Sequence, residues 1–134
     1  MIRFIKKLCS NKRFPILWTI ITIGLLCLPG SAIPGFGLFG VKNLDKIAHI
    51  ILFGGIVFSW SVFVFLRQQV ANKTLITICL IAAGSVTLGI VMEYIQLYFI
   101  PNRQFDVGDI WANFAGSVLA LILAILLKRK LMPI

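Results

Sequence analysis

The chain has 134 residues, 60% of them hydrophobic and only 13% charged, about half the charged share of a soluble domain. A soluble fold of this size has too little interior to hide that much apolar surface, so lipid is the expected solvent. The net charge of +9 would ordinarily point to nucleic acid. Here the basic residues collect at the ends of apolar runs, membrane topology accounts for them, and no nucleic-acid partner is expected.

The first apolar segment covers 15–28 and opens on Pro15, a residue suited to a first helical turn. Arg3, Lys6, Lys7, Lys12 and Arg13 precede it, and Gly30-Ser31-Ala32 follows with a small-x-small pattern, so the segment could also be read as a signal peptide. It is expected to be retained as an anchor. An outer loop over 29–46 follows, rich in glycine and proline yet carrying Ile33, Phe36, Leu38, Phe39 and Val41. Such a loop suits the membrane surface, where protein or water satisfies its backbone.

The second segment, 47–66, contains His49. A short turn over 68–73 leads to the third, 74–100, which carries Glu93 and Gln96. The fourth, 110–127, carries Asn113 and a stripe of small residues at Ala112, Gly116, Ala120 and Ala124, spaced to let another helix approach closely. A helix of about 20 residues crosses roughly 30 Å of hydrocarbon. The expectation is an all-α integral membrane protein, a four-helix transmembrane bundle forming a single domain over 1–134. Arg3, Lys6, Lys7, Lys12, Arg13, Arg67, Lys73, Lys128, Arg129 and Lys130 then share one side with no acidic residue, which makes both termini cytoplasmic. Cys9, Cys27 and Cys79 have no metal-ligand spacing and read as small hydrophobes.

All four acidic residues and the only histidine fall on the other side. His49 lies roughly 4 to 5 Å below Lys46 along a helix, and Asn113 roughly 6 Å below Asp109. Glu93 is about 29 Å along its span from Thr74, near the outer hydrocarbon boundary. Three helices thus carry polar side chains at similar depth. Asp45 and His49, and Asp109 and Asn113, are i,i+4 pairs, while Glu93 and Gln96 are i,i+3. The turn from Pro101 to Asp109 brings Arg103, Asp106 and Asp109 over the same end.

Plainer roles exist for several of these. Asp109 follows Gly108 and suits an N-cap, Arg103 and Asp106 could pair to order the loop, and Lys46 could snorkel to the interface. Glu93 is hardest to explain by packing, because a carboxylate at a membrane helix end needs a partner, a proton or water. As a reactive pair, His49 would act as acid or base and Glu93 would orient it or share its proton. Asp45, Lys46, Gln96, Arg103, Asp106, Asp109 and Asn113 are the candidate binding residues around them. A divalent metal on His49, Glu93, Asp106 and Asp109 is conceivable, although the spacing specifies no ion. No G-x-S-x-G, H-E-x-x-H or P-loop is present.

Together these residues resemble the VanZ-like family of small bacterial membrane proteins. The resemblance runs over 44–121 through Asp45-Lys46-Ile47-Ala48-His49, Phe53-Gly54, Glu93-Tyr94-Ile95-Gln96, and Arg103 to Asp109 leading into Ala112-Asn113 and Gly116. It implies a multi-pass protein of the bacterial cytoplasmic (inner) membrane whose outer polar cluster is a family signature. The family's founding member is linked to resistance to the glycopeptide teicoplanin, but no reaction comes with the resemblance. The function expected is action at the outer leaflet on or with a membrane lipid or cell-envelope component. A lipid-linked wall precursor or a glycopeptide is a further candidate partner. A lipid phosphoesterase or transferase using the His/Glu/Asp site, a pore and a structural scaffold are the alternatives.

Overall fold

The structure, a computed structural model, describes residues 1–32, 43–67 and 71–131. Among these residues the chain forms five α-helices, one 3-10 turn and no strand. The helices are α1 (Ile2–Cys9), α2 (Arg13–Leu26), α3 (Leu44–Arg67), α4 (Ala71–Phe99) and α5 (Val107–Leu131), with the 3-10 turn at Gly30–Ala32. The central part of the expected outer loop, 33–42, and the start of the expected turn at 68–70 lie outside the described residues.

Three stretches are long and apolar enough to cross a membrane: Leu44–Arg67, Lys73–Phe99 and Val107–Leu131. At 1.5 Å per residue even the shortest spans about 36 Å, more than the hydrocarbon requires. α2 is apolar but has only 14 residues, about 21 Å of helix. The first expected span is therefore a shorter helix than the other three. α1 is an addition to the expectation. Its sequence alternates Ile2, Ile5 and Cys9, which pack on the core, with the exposed Arg3 and Lys7. Burial raises the Cys9 thiol to about 11, which keeps it protonated and unreactive.

α3 is the central helix and touches each of the other four. Its widest interface is with α5, on the stripe of small residues, where Ala112, Gly116, Ala120 and Ala124 are all buried. A Cβ on Gly116 would collide with the Ile50 carbonyl, so the missing side chain sets how closely these helices cross. Away from the membrane ends, some polar atoms find partners inside the bundle, while the buried hydroxyls of Thr22 and Ser61 do not. Ser117 donates to Ser85 at 3.2 Å, and Trp18 Nε1 donates to the Leu52 carbonyl at 3.0 Å, tying α2 to α3. The outer surface is lined by exposed apolar side chains such as Leu80, Leu119 and Leu126, as lipid contact demands.

The chain after α2 is tied to the far end of α4. Gln96 Nε2 donates to the Leu26 carbonyl at 2.9 Å, and the Gly30 amide donates to the Pro101 carbonyl at 3.0 Å. These bonds anchor the polar end of the bundle, where the candidate site lies.

Candidate functional site

α5 begins at Val107 because Asp106 caps it. Asp106 Oδ1 accepts the Gly108 amide at 2.6 Å, and its carbonyl accepts the Asp109 amide at 3.1 Å. The cap expected at Asp109 is therefore three residues earlier. Asp109 instead sits in the first helical turn, buried, with its carboxylate turned toward α3. The Asp106 amide in turn donates to Glu93 Oε2 on α4 at 3.1 Å, so the α4–α5 loop rests on that carboxylate. Asn102 makes the preceding turn in the left-handed region, at φ 58°, a conformation asparagine tolerates.

Lys46, on the first turn of α3, is the hub of the outer layer. Its Nζ lies 2.7 Å from Asp106 Oδ2, 3.2 Å from Asp109 Oδ1 and 3.4 Å from Asp45 Oδ2. Snorkelling alone does not describe it, since three carboxylates share its charge. The Lys46 hydrogen bond, followed by the Gly108 amide, holds the Asp106 carboxyl below the usual carboxylate range.

One turn inward, His49 is 3% exposed and its ring stacks parallel on Phe53, with centroids 6.2 Å apart. Its Nδ1 lies 2.9 Å from Asn113 Oδ1, and its Nε2 lies 3.6 Å from Asp109 Oδ2. Asp109 therefore joins the two layers, with one oxygen toward Lys46 and the other toward His49. Glu93 completes the inner layer and is fully buried. Glu93 Oε1 and Asn113 Nδ2 have no hydrogen-bond partner. Gly89 makes room for that amide, since a Cβ there would stand 2.6 Å from Asn113 Nδ2. Phe53, Ile56, Met92 and Leu26 form an apolar floor beneath.

The structure thus brings Asp45, Lys46, His49, Glu93, Asp106, Asp109 and Asn113 into one cluster. Gln96 and Arg103 are outside it. Gln96 serves the Leu26 carbonyl, and Arg103 Nε reaches the Leu28 carbonyl at 3.4 Å. Arg103 forms no ion pair among the described residues, and the loop pair expected between it and Asp106 is replaced by Lys46–Asp106. The four expected metal donors divide into two sets. His49, Glu93 and Asp109 each offer one donor atom within 4.8 Å of the others, whereas Asp106 belongs with Asp45 and Asp109. The Lys46 ammonium already contacts all three members of that second set.

Two features were not foreseen from the sequence: the stack of Phe53 on His49 and the convergence of three carboxylates on Lys46. Phe53 follows His49 by four residues, the spacing that stacks side chains on one helix face, and that was a usable signal. Lys46 and His49 are i,i+3 on the same face, but nothing in one sequence shows that three carboxylates would converge on the lysine.

A helical membrane protein with a buried histidine–carboxylate cluster at one end is the class these features define. The chain belongs to the VanZ/LLP1 family, whose model matches residues 2–128. A Schizosaccharomyces pombe protein described as uncharacterized is 35% identical over 124 residues, covering 90% of this chain and 72% of that one. No solved structure matches.

Proposed function

We propose that the protein acts at the outer leaflet of a bacterial cytoplasmic membrane, where it engages the headgroup of a membrane lipid or lipid-linked envelope component. In this reading α2 makes a fourth crossing beside the three long helices, and both termini face the cytoplasm, as the basic residues favour.

One observation carries the reading. His49, Glu93 and Asp109 come from three helices to a common point, and Glu93 Oε1 and Asn113 Nδ2 are buried there without partners. Each such atom costs roughly 1 to 3 kcal/mol, and packing alone gives no reason to retain them. The cluster is rich in acceptors, so it suits an ammonium or other donor-rich group directly, and a phosphate only through a bridging cation. An apolar groove of about 350 Å³, lined among others by Ile56, Trp60, Ile81 and Leu88, offers the surface that an acyl chain needs. A relative in fission yeast favours a lipid over a partner peculiar to bacterial walls.

A second reading, hydrolysis or transfer of a lipid phosphate ester, draws on the approach of His49 Nε2 to Asp109 Oδ2, a pair able to move a proton. Native mass spectrometry of detergent-purified protein tests the main proposal. Wild type should retain a defined lipid class, and Glu93→Gln should retain about tenfold less, equivalent to about 1.4 kcal/mol. Identical lipid retention would leave a scaffold as the better account. Release of a labelled headgroup by wild type, abolished in His49→Gln, would favour the second reading. A change in teicoplanin susceptibility on expression would extend the founding member's role to this chain.

A further inference from the structure

We infer that His49, Glu93 and Asp109 bind one divalent cation of the zinc or manganese class, with Asn113 fixing the imidazole from behind. This concerns what the cluster holds and stands apart from which lipid the protein meets.

The orientation of the ring comes first. Asn113 Oδ1 faces His49 Nδ1 at 2.9 Å, so Nδ1 carries a hydrogen, and the neutral form of the ring presents a bare lone pair at Nε2. That lone pair points toward Asp109 Oδ2, 3.6 Å away. A lone pair facing a carboxylate, with a second carboxylate alongside, is stabilised only by a positive charge between them. An outward Nδ1–H donated to a carbonyl is also the contact that metal-bound histidines commonly make.

Spacing agrees. The three donor atoms lie within 4.8 Å of one another, and donors around a zinc-sized ion, bound at about 2.1 Å, stand roughly 3 to 4.2 Å apart. Small side-chain rotations close that difference. One imidazole among carboxylates suits zinc or manganese better than magnesium or calcium, which prefer all-oxygen shells.

A proton is the competing occupant, and Glu93 separates the two. A proton on His49 Nε2 serves Asp109 but leaves Glu93 Oε1 buried and unpaired. A proton on Glu93 eases the burial of that carboxyl but leaves His49 Nε2 facing Asp109 Oδ2 with no positive charge between them. A cation satisfies one donor atom each of His49, Asp109 and Glu93 together. Charge points the same way, because among the described residues four carboxylates, of Asp45, Glu93, Asp106 and Asp109, share this cluster with one lysine ammonium, which contacts three of them. Lys46 occupies the outer trio, which leaves the inner one for the ion.

The test is calorimetric titration of tag-free, detergent-purified protein with Zn²⁺ and with Mn²⁺, backed by the visible absorption of bound Co²⁺. Wild type should bind one ion per chain. His49→Gln and Glu93→Gln should each weaken binding by more than about a hundredfold, whereas Asn113→Ala, which removes only the outer contact, should weaken it by roughly 10- to 100-fold. Thr87→Val, on an exposed face of α4 six residues before Glu93, should bind as wild type does. Circular dichroism checks each variant, and if a ligand variant does not fold, the contrast between Asn113→Ala and Thr87→Val decides. No saturable binding by wild type, or equal binding by wild type and the cluster variants, would overturn the site.

Discussion

The two halves of the α3–α5 interface hold the same pair of helices by opposite means. Toward the end that carries α1, side chains such as Val57 and Phe65 of α3 pack in apolar clusters with Ala120 and Ala124 of α5. There the contact depends on what α5 lacks, since small residues let the backbones approach. Toward the polar end, Lys46 meets Asp109 and His49 meets Asn113. There the contact depends on charge and hydrogen bonds, which are costly to bury and poor value for stability alone. In the apolar half, packing of large side chains on small ones accounts for the contact. The polar half is then free to carry buried groups that packing does not need.

The largest effect should come from the small-residue stripe, at Gly116 where the two halves meet. Gly116→Leu drives a side chain into the Ile50 backbone, and a collision with backbone should cost about 3 kcal/mol or more. Unfolding in mixed micelles by added dodecyl sulfate measures it, and a fully stable variant would break the idea of a glycine-set crossing. A middle effect belongs to the polar half. Lys46→Met strands three carboxylates, and because the lysine is partly exposed the loss should be about 1 to 2 kcal/mol, below that of a fully buried pair. Adding Asp109→Asn should recover part of that loss, giving a positive coupling in a double-mutant cycle. Additive losses would show that the polar half is not held by this charge.

The smallest effect is in acid. The folded-state carboxyl of Asp106 lies below its unfolded value, so its contribution is present above the unfolded pKa, about 3.9. It is lost as pH falls through the lower, folded value. Melting temperature followed downward from pH 5 should fall less steeply in Asp106→Asn than in wild type. Equal slopes would mean that Lys46 does not favour the charged form of this group.

Much of this arrangement was legible in the residues. The three long spans follow from unbroken apolar runs, and the stripe from Ala112 to Ala124 announced the face that meets α3. The depth of His49, Glu93 and Asn113 followed from rise per residue alone, but depth carries no azimuth. Sequence spacing therefore grouped Gln96 and Arg103 with the cluster, whereas in the structure both turn to carbonyls at the end of α2. The cap was misplaced for a related reason. Asp106 and Asp109 are both suited to it, and only the Glu93 bond to the Asp106 amide fixes where α5 starts. α1 was read as a charged flank because eight residues are too few for helix propensity to decide without a core to pack on.

The bond between Gln96 and the Leu26 carbonyl joins positions 70 residues apart, and this sets an order of assembly. A ribosome adding 5–20 residues per second needs roughly 4 to 14 s to make that stretch. Throughout that interval the end of α2 has neither of its later anchors, because the Pro101 carbonyl that accepts the Gly30 amide is made later still. The far end of the first apolar helix is thus among the last parts to be locked, and the polar end closes only when the hairpin of α4 and α5 arrives.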